Sequence, residues 1–186
     1  PDPVYFHLRI GRLLLKWSST EETDCNLFVM VDQLHRGACL LNDRNEKIKL
    51  AHLCLMAGMK ASIKSAFLPS SAYYQAGIGL LSSGEWDSHR ELCLELYNSS
   101  LETEYILGDF DAMMTHIDEV LNRGGTIEEK IRAYRTLVQS LAAQGHVPRA
   151  IETALAVLGQ LGESIPMSVT PAQVKLELEA TQQMLQ

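Results

Sequence analysis

The sequence predicts an all-α protein in which antiparallel helical hairpins stack into a superhelix. Three observations carry this expectation. Apolar residues recur at helical spacing almost throughout: Phe110, Met113, Met114, Ile117, Val120 and Leu121 form one stripe on a helix of about 3.6 residues per turn. Capping residues and glycines punctuate these runs. One corner also recurs 37 residues on, because GDFDAMMTHIDEVL from Gly108 aligns with GHVPRAIETALAVL from Gly145. Glycine stands at both corners, Met113 and Ala150 occupy one apolar position, Ile117 and Ala154 the next, and Val120-Leu121 and Val157-Leu158 close the stripe. Such a period suits helical pairs that each leave an apolar face for the next to cover.

The elements follow in order. Helices are expected at about 3–16, 20–37, 44–66, 69–83, 88–107, 109–123, 127–144, 148–161 and 171–185. Ser19 with Glu22, Ser88 with Glu91, Thr126 with Glu129 and Thr170 with Gln173 have capping-box spacing, and Pro171 falls at a first helical position. Gly84, Gly108, Gly124-Gly125, Gly145 and Gly162 mark ends, where glycine adopts left-handed geometry at little cost. Gly58 lies inside a helix, so either a neighbour approaches closely there or the helix bends. In the following helix Tyr73 and Tyr74 pack the hairpin with a hydroxyl free to reach water. The run Ile127, Ile131, Tyr134, Val138, Leu141 and the run Ile151, Ala154, Leu155, Leu158, Leu161 supply the next two stripes. Short links force antiparallel neighbours. Three regions result: an N-terminal helical pair over 1–42, helical repeats over 43–162, and a C-terminal helix over 163–186 that continues the solenoid.

Composition agrees with a globular, helical chain: 186 residues, 46% hydrophobic and 21% charged, with 6 prolines. A net charge of −7 with scattered basic residues argues against a nucleic-acid surface. Lys60 and Lys64 interrupt the longest apolar candidate, Ala51 to Phe67, so no membrane span is expected. No basic-then-apolar leader is present, and the chain begins at Pro1, which suggests a piece of a longer protein. Cys25, Cys39, Cys54 and Cys93 lack metal-ligand spacing and lie in helix-like runs, where buried, reduced thiols are expected, pointing to a reducing, cytoplasmic setting.

The corners GDFDA and GHVPRA resemble the second half of the tetratricopeptide repeat, G-D-[YF]-x-x-A, with Met113 where alanine is usual. A narrower resemblance covers most of the chain. HLRIGRLLL (His7 to Leu15), LFVMVDQLHRGACLL (Leu27 to Leu41) and KLAHLCLMAGMKASIKSAFLPSSAYYQAGIGLL (Lys49 to Leu81) are similar to the helical region that follows the ATPase module of large multidomain signalling proteins. Those proteins carry a kinase-like domain, an AAA- or STAND-type predicted ATPase, tetratricopeptide-like repeats and often a sensor histidine kinase. The resemblance implies that this stretch is their repeat scaffold, a right-handed superhelix, with the ATPase and kinase motifs outside it.

Catalytic motifs are missing. Gly58-Met59-Lys60 lacks the earlier glycine of a phosphate loop, no G-x-S-x-G occurs, and His35-Arg36-Gly37 lacks the aspartate of a kinase loop. His52 and Cys54 diverge around a helix, and His35, His52 and His116 read as structural or surface groups. Asp109, Asp111 and Asp118 invite a cation site, but helical spacing resumes at once, so first-turn carboxylates on the helix dipole explain the early pair. Glu102, Glu104 and Asp109 could form an acidic surface, and Met56, Met59, Met113 and Met114 could line a groove, though core filling is the expected role.

The expected function is therefore a non-catalytic scaffold that needs no cofactor or metal and binds a peptide or sister domains of its parent chain. Gly108, Phe110, Met113, Ile117, Gly145, Ala150 and Ala154 would make its turns and packing, and Tyr73, Tyr74, Tyr97, Tyr105 and Tyr134 are candidate groove residues. The alternative is a small-molecule pocket between the long central hairpin and its neighbours that regulates an adjacent ATPase or kinase.

Overall fold

The computed structural model describes residues 2–18, 20–163, 165 and 170–184, and among these all regular structure is helical. The helices are α1 (Pro3–Trp17), α2 (Thr20–Arg36), α3 (Arg44–Ile63), α4 (Phe67–Ile78), α5 (Glu85–Ser88), α6 (Arg90–Leu107), α7 (Phe110–Arg123), α8 (Ile127–Ala143), α9 (Val147–Gln160) and α10 (Pro171–Met184), with a 3₁₀ turn at Ala38–Leu40. Asp2, Asp43 and Asp109 cap α1, α3 and α7 by accepting the amides of Val4, Asn45 and Ala112. Ser19, proposed above as a cap, lies outside the described residues, as does Leu185 at the expected end of the last helix.

Several boundaries differ from the sequence reading. The helix expected over 69–83 runs Phe67–Ile78, and the short α5 follows it. Ser88 ends α5 instead of capping α6; its hydroxyl donates to the Gly84 carbonyl and lies 3.1 Å from Glu85 Oε2. Gly84 begins α5 with φ −73°, and Gly124 ends α7 with φ −60°, so neither uses left-handed geometry. Gly108, Gly145 and Gly162 do, at φ 76°, 81° and 88°. At each, two amides close back on the last helical turn. Asp109 N–H reaches Glu104 O at 2.9 Å, His146 N–H reaches Leu141 O at 2.8 Å, and Glu163 N–H reaches Leu158 O at 2.9 Å.

The same corner joins α3 to α4, but there the left-handed residue is Ser65, at φ 56°. Ala66 N–H reaches Ala61 O at 3.0 Å, and Ser65 N–H reaches Ser62 O at 2.8 Å. From this corner Ser70 takes the place of Met113 and Ala150, and Tyr74 that of Ile117 and Ala154. Ser70, Met113 and Ala150 are all buried, as are Tyr74 and Ile117, while Ala154 is half-buried.

Packing runs from hairpin to hairpin. α1 lies on α2, α2 on α3, α3 on α4, α6 on α7 and α8 on α9, while α6 also meets α3, α4 and α8, and α7 meets α8. Leu8, Leu27, Met30, Leu34, Leu50 and Cys54 fill the first core. Ile48, Ala51, Tyr74, Leu92 and Leu96 fill the space between α3, α4 and α6. Cys93, Leu101, Met113, Ile117, Val120 and Ala133 fill the third. Gly58 is a point of close approach: a Cβ there would stand 2.3 Å from Tyr74 Cε1, so the Tyr74 ring lies directly on the α3 backbone. Ser70 Oγ donates to the Gly58 carbonyl at 2.8 Å beside it.

The stripes hold best on α7. On α8 the buried line is Ala133, Thr136 and Ser140, with Ile131 exposed, because small residues let α8 come close to its neighbours. On α9 only Ala150 is buried, and Ile151 and Leu161 are exposed. The described side chains of α10 are all exposed.

Candidate interaction surface

The first helices of the three hairpins, α3, α6 and α8, stand side by side and expose one row each. On α3 the row is His52, Met56, Met59 and Ile63, spaced along one side of the helix. Of the four methionines expected in the core only Met113 is buried; Met114 is exposed on α7, and Met56 and Met59 are nearly half exposed, because Leu53, Cys54, Ala57 and Ala61 already occupy the opposite faces. On α6 the exposed Glu91 and Ile106 flank the half-buried Glu95 and Glu102, and on α8 the row is Arg135 and Gln139. The acids of α6 are gripped from α8: Arg132 lies 2.9 Å from Glu95 and 3.0 Å from Glu102, and Arg135 lies 2.8 Å from Glu102. Partial burial alone would lower the Arg132 guanidinium, but its bonds to Glu102 and Glu95 outweigh this and hold it raised.

The candidate tyrosines divide among different clusters instead of meeting in one groove. Tyr73 packs on the first core, stacked on Phe28 with ring centroids 5.7 Å apart, and its hydroxyl donates to Asp32 at 3.2 Å. Tyr74 is buried in the cluster between α3, α4 and α6, where burial raises its phenol and hydrogen bonding with Ser70 and Ser99 opposes this. Tyr74 is thus buried where the sequence suggested a hydroxyl within reach of water, while the Tyr73 hydroxyl lies at an exposed position beside Asp32. Tyr97 and Tyr105 pack on the third core, with Tyr97 5.3 Å from both the Trp86 and His116 rings, and Tyr134 is half-buried on α8. The turn residues Gly108 and Gly145 are exposed, and Phe110 is half-buried against the third core.

A second feature is a cleft of about 280 Å³ between α2 and α4, walled by Val31, Pro69, Ala72 and Ala76, with Asp32, His35 and Tyr73 as its polar edge. Burial, then Asp32, pushes the Tyr73 phenol up to about 12. The buried Cys54 thiol behind it is pushed up to about 12 by the same two causes in the same order.

Two buried carboxylates were not legible as such. Glu104, placed above on an acidic surface, is 1% exposed; Ser100 Oγ donates to it at 2.9 Å and His116 Nδ1 lies 2.8 Å away. Its i−4 serine was the one local signal. Glu85 is 2% exposed and takes a two-pronged bond from Arg44 at 2.7 and 2.6 Å, with His89 Nδ1 at 2.9 Å. Arg44's bonds, set against burial, hold the Glu85 carboxyl down at about 2. Of the cysteines, Cys54 and Cys93 are buried but Cys25 and Cys39 are exposed, and all four are free. Cys39 sits in the 3₁₀ turn and not in a helix. Asp109 caps α7, Asp111 lies in its first turn, and among the described residues no three His, Cys, Asp or Glu side chains gather as a metal site. Among the same residues no helix is long and apolar enough to cross a membrane.

Comparison with known proteins adds one finding. No family model matches the chain, and no solved structure matches it. The chain is similar to Hybrid signal transduction histidine kinase G of Dictyostelium discoideum, 25% identical over 140 residues, which cover 63% of this chain and 4% of that protein. The chain thus spans a small fraction of the length of the curated relative it matches.

Proposed function

We propose that this chain is a non-catalytic scaffold of a larger signal-transduction protein, a tetratricopeptide-like repeat region coiled as a right-handed superhelix. Its partners are sister domains of the parent chain or a peptide segment, held on the face formed by α3, α6 and α8. The observation that carries this reading is the corner repeated at Ser65, Gly108 and Gly145, each followed by buried residues at the same two offsets or nearly so. Repetition of a hairpin in register is what generates a continuous face from successive first helices. The likeness to part of a signal transduction histidine kinase supports the signalling setting. The net charge of −7 disfavours nucleic acid as partner, and a cytoplasmic location follows from the setting proposed.

The test is site-specific photocrosslinking in the parent protein. A crosslinker at Met56, Glu95 or Arg135 is expected to capture segments of sister domains or of one peptide partner, while one at the exposed Thr115 on α7 captures none. Equal yields at all four positions would sink the assignment of the face.

A second reading is favoured by the cleft between α2 and α4: a small-molecule pocket whose occupancy sets how the first two hairpins meet and so regulates a neighbouring ATPase or kinase domain. Its test is a saturable thermal shift on adding small molecules, lost when Ala76→Leu fills the cleft.

A further inference from the structure

Resting on that second reading, we propose that the α2/α4 cleft binds an organic ammonium carried on a small apolar body, with Asp32 as counter-ion and the Tyr73 ring as wall. The cleft is lined by Val31, Pro69, Ala72 and Ala76, which suits a hydrocarbon, and its volume of about 280 Å³ suits a body of one ring or a short alkyl chain. The charge at its edge decides the rest. Among the described residues no Lys, Arg or His stands within ion-pair distance of Asp32; the bond it accepts is from the Tyr73 hydroxyl at 3.2 Å. A carboxylate has room for further donors after one neutral bond, and an ammonium N–H is a stronger donor than a phenol.

The aromatic wall agrees with a cation. Phe28 backs the Tyr73 ring at an interplanar angle of 28°, which fixes the ring that faces the cleft. A cation beside such a ring gains from its quadrupole, more so when partly desolvated. Asp32 acts on both the Tyr73 phenol and the Cys54 thiol, and it shares the polar edge of the cleft with His35. A phosphate or carboxylate ligand would face Asp32 directly, and one carboxylate does not make a metal site. The ammonium could arrive on a free amine or on a lysine side chain of a partner segment; the chemistry recognised is the same.

The experiment titrates the ¹⁵N-labelled 186-residue chain with three probes: phenethylamine, its neutral counterpart 2-phenylethanol, and N-acetyl-lysine methylamide. Saturable amide shifts confined to residues 31–35 and 69–76 are expected with an ammonium probe, and binding at least about tenfold weaker with the alcohol, the range set by a charged hydrogen bond. Asp32→Asn should weaken the amine by about tenfold or more while leaving the helical circular dichroism unchanged, and Ala76→Leu should abolish it with Asp32 in place. A response to phenethylamine alone identifies a free amine, and an equal or stronger response to the lysine probe identifies a side chain. If the alcohol binds as well as the amine, the cation assignment is overturned and the pocket stands. If none of the probes gives a saturable shift, both are overturned.

Discussion

The left-handed corners make opposite predictions at two residues. At Gly108, φ is 76° and a Cβ would meet nothing within 4 Å, so alanine there has no clash and its cost is one of backbone conformation alone. That cost is roughly 1–2 kcal/mol for an L-residue in the left-handed region. It is offset by roughly 0.4–1 kcal/mol from the smaller conformational freedom of the unfolded chain. Gly108→Ala should therefore destabilise by about 1 kcal/mol, and lower Tm by about 2–4 °C for a chain of this size. Ser65 already bears the strain at φ 56°, and its hydroxyl makes no bond among the described residues. Ser65→Gly should thus stabilise by about 0.5–1 kcal/mol, and Ser65→Ala should change little. Thermal and urea unfolding followed by circular dichroism reads all three. Shifts of the same sign for Gly108→Ala and Ser65→Gly would refute the claim that one corner geometry is used at both places.

Three further outcomes follow from the packing. Gly58→Ala drives a methyl to within 2.3 Å of the Tyr74 ring and should cost roughly 1–3 kcal/mol, less than additively when combined with Tyr74→Leu, as measured by urea unfolding. Glu104→Ala strands Ser100 and His116, and should cost roughly 3 kcal/mol; a double-mutant cycle with His116→Ala should show coupling above about 1 kcal/mol, and strict additivity would deny the pair. Glu85 is depressed to about 2 in the folded state from a reference of 4.5, so its contribution is fully present above about 4.5 and is lost as pH falls towards about 2. The stability advantage of the native chain over Glu85→Gln should accordingly shrink across that window, and an advantage that stays constant from neutral pH to pH about 2 would contradict it.

What could be read from the sequence, and what could not, follows from which residues are obliged to be what they are. A left-handed corner all but demands glycine, so Gly108, Gly145 and Gly162 announced three helix ends. The fourth, at Ser65, was expected as a helix end near 66 but not as a left-handed corner, since a serine before an alanine carries no such signal. Helical period identified every long helix, yet α5 has only four residues and no period to show. Periodicity also says that a helix has faces without saying which face is covered. On α3 the methionine row and the Leu50, Cys54, Ala57 row are both apolar, and it was the second that met α2 and α4. On α8, close approach selected Ala133, Thr136 and Ser140 over the larger residues beside them. The candidate sites were harder still: Asp32 and Tyr73 are 41 residues apart, and Arg132 and Glu95 are 37 apart, so only the meeting of non-adjacent helices brings them together.

α6 shows why this architecture keeps its register although its apolar stripes alone would tolerate sliding. Besides Leu92, Leu96 and Leu101 it buries Asn98, Ser99, Ser100, Thr103 and Glu104. An apolar side chain loses little when it moves by a turn to another apolar neighbour, but a buried carboxylate that leaves its donors keeps the whole desolvation cost. Glu104 meets His116 only when α6 and α7 stand in one register. Glu95 and Glu102 add the same demand for α8 through Arg132, at distances of 2.9 to 3.1 Å. Two neighbours of this central helix, α7 and α8, are thus each keyed by a polar contact of their own.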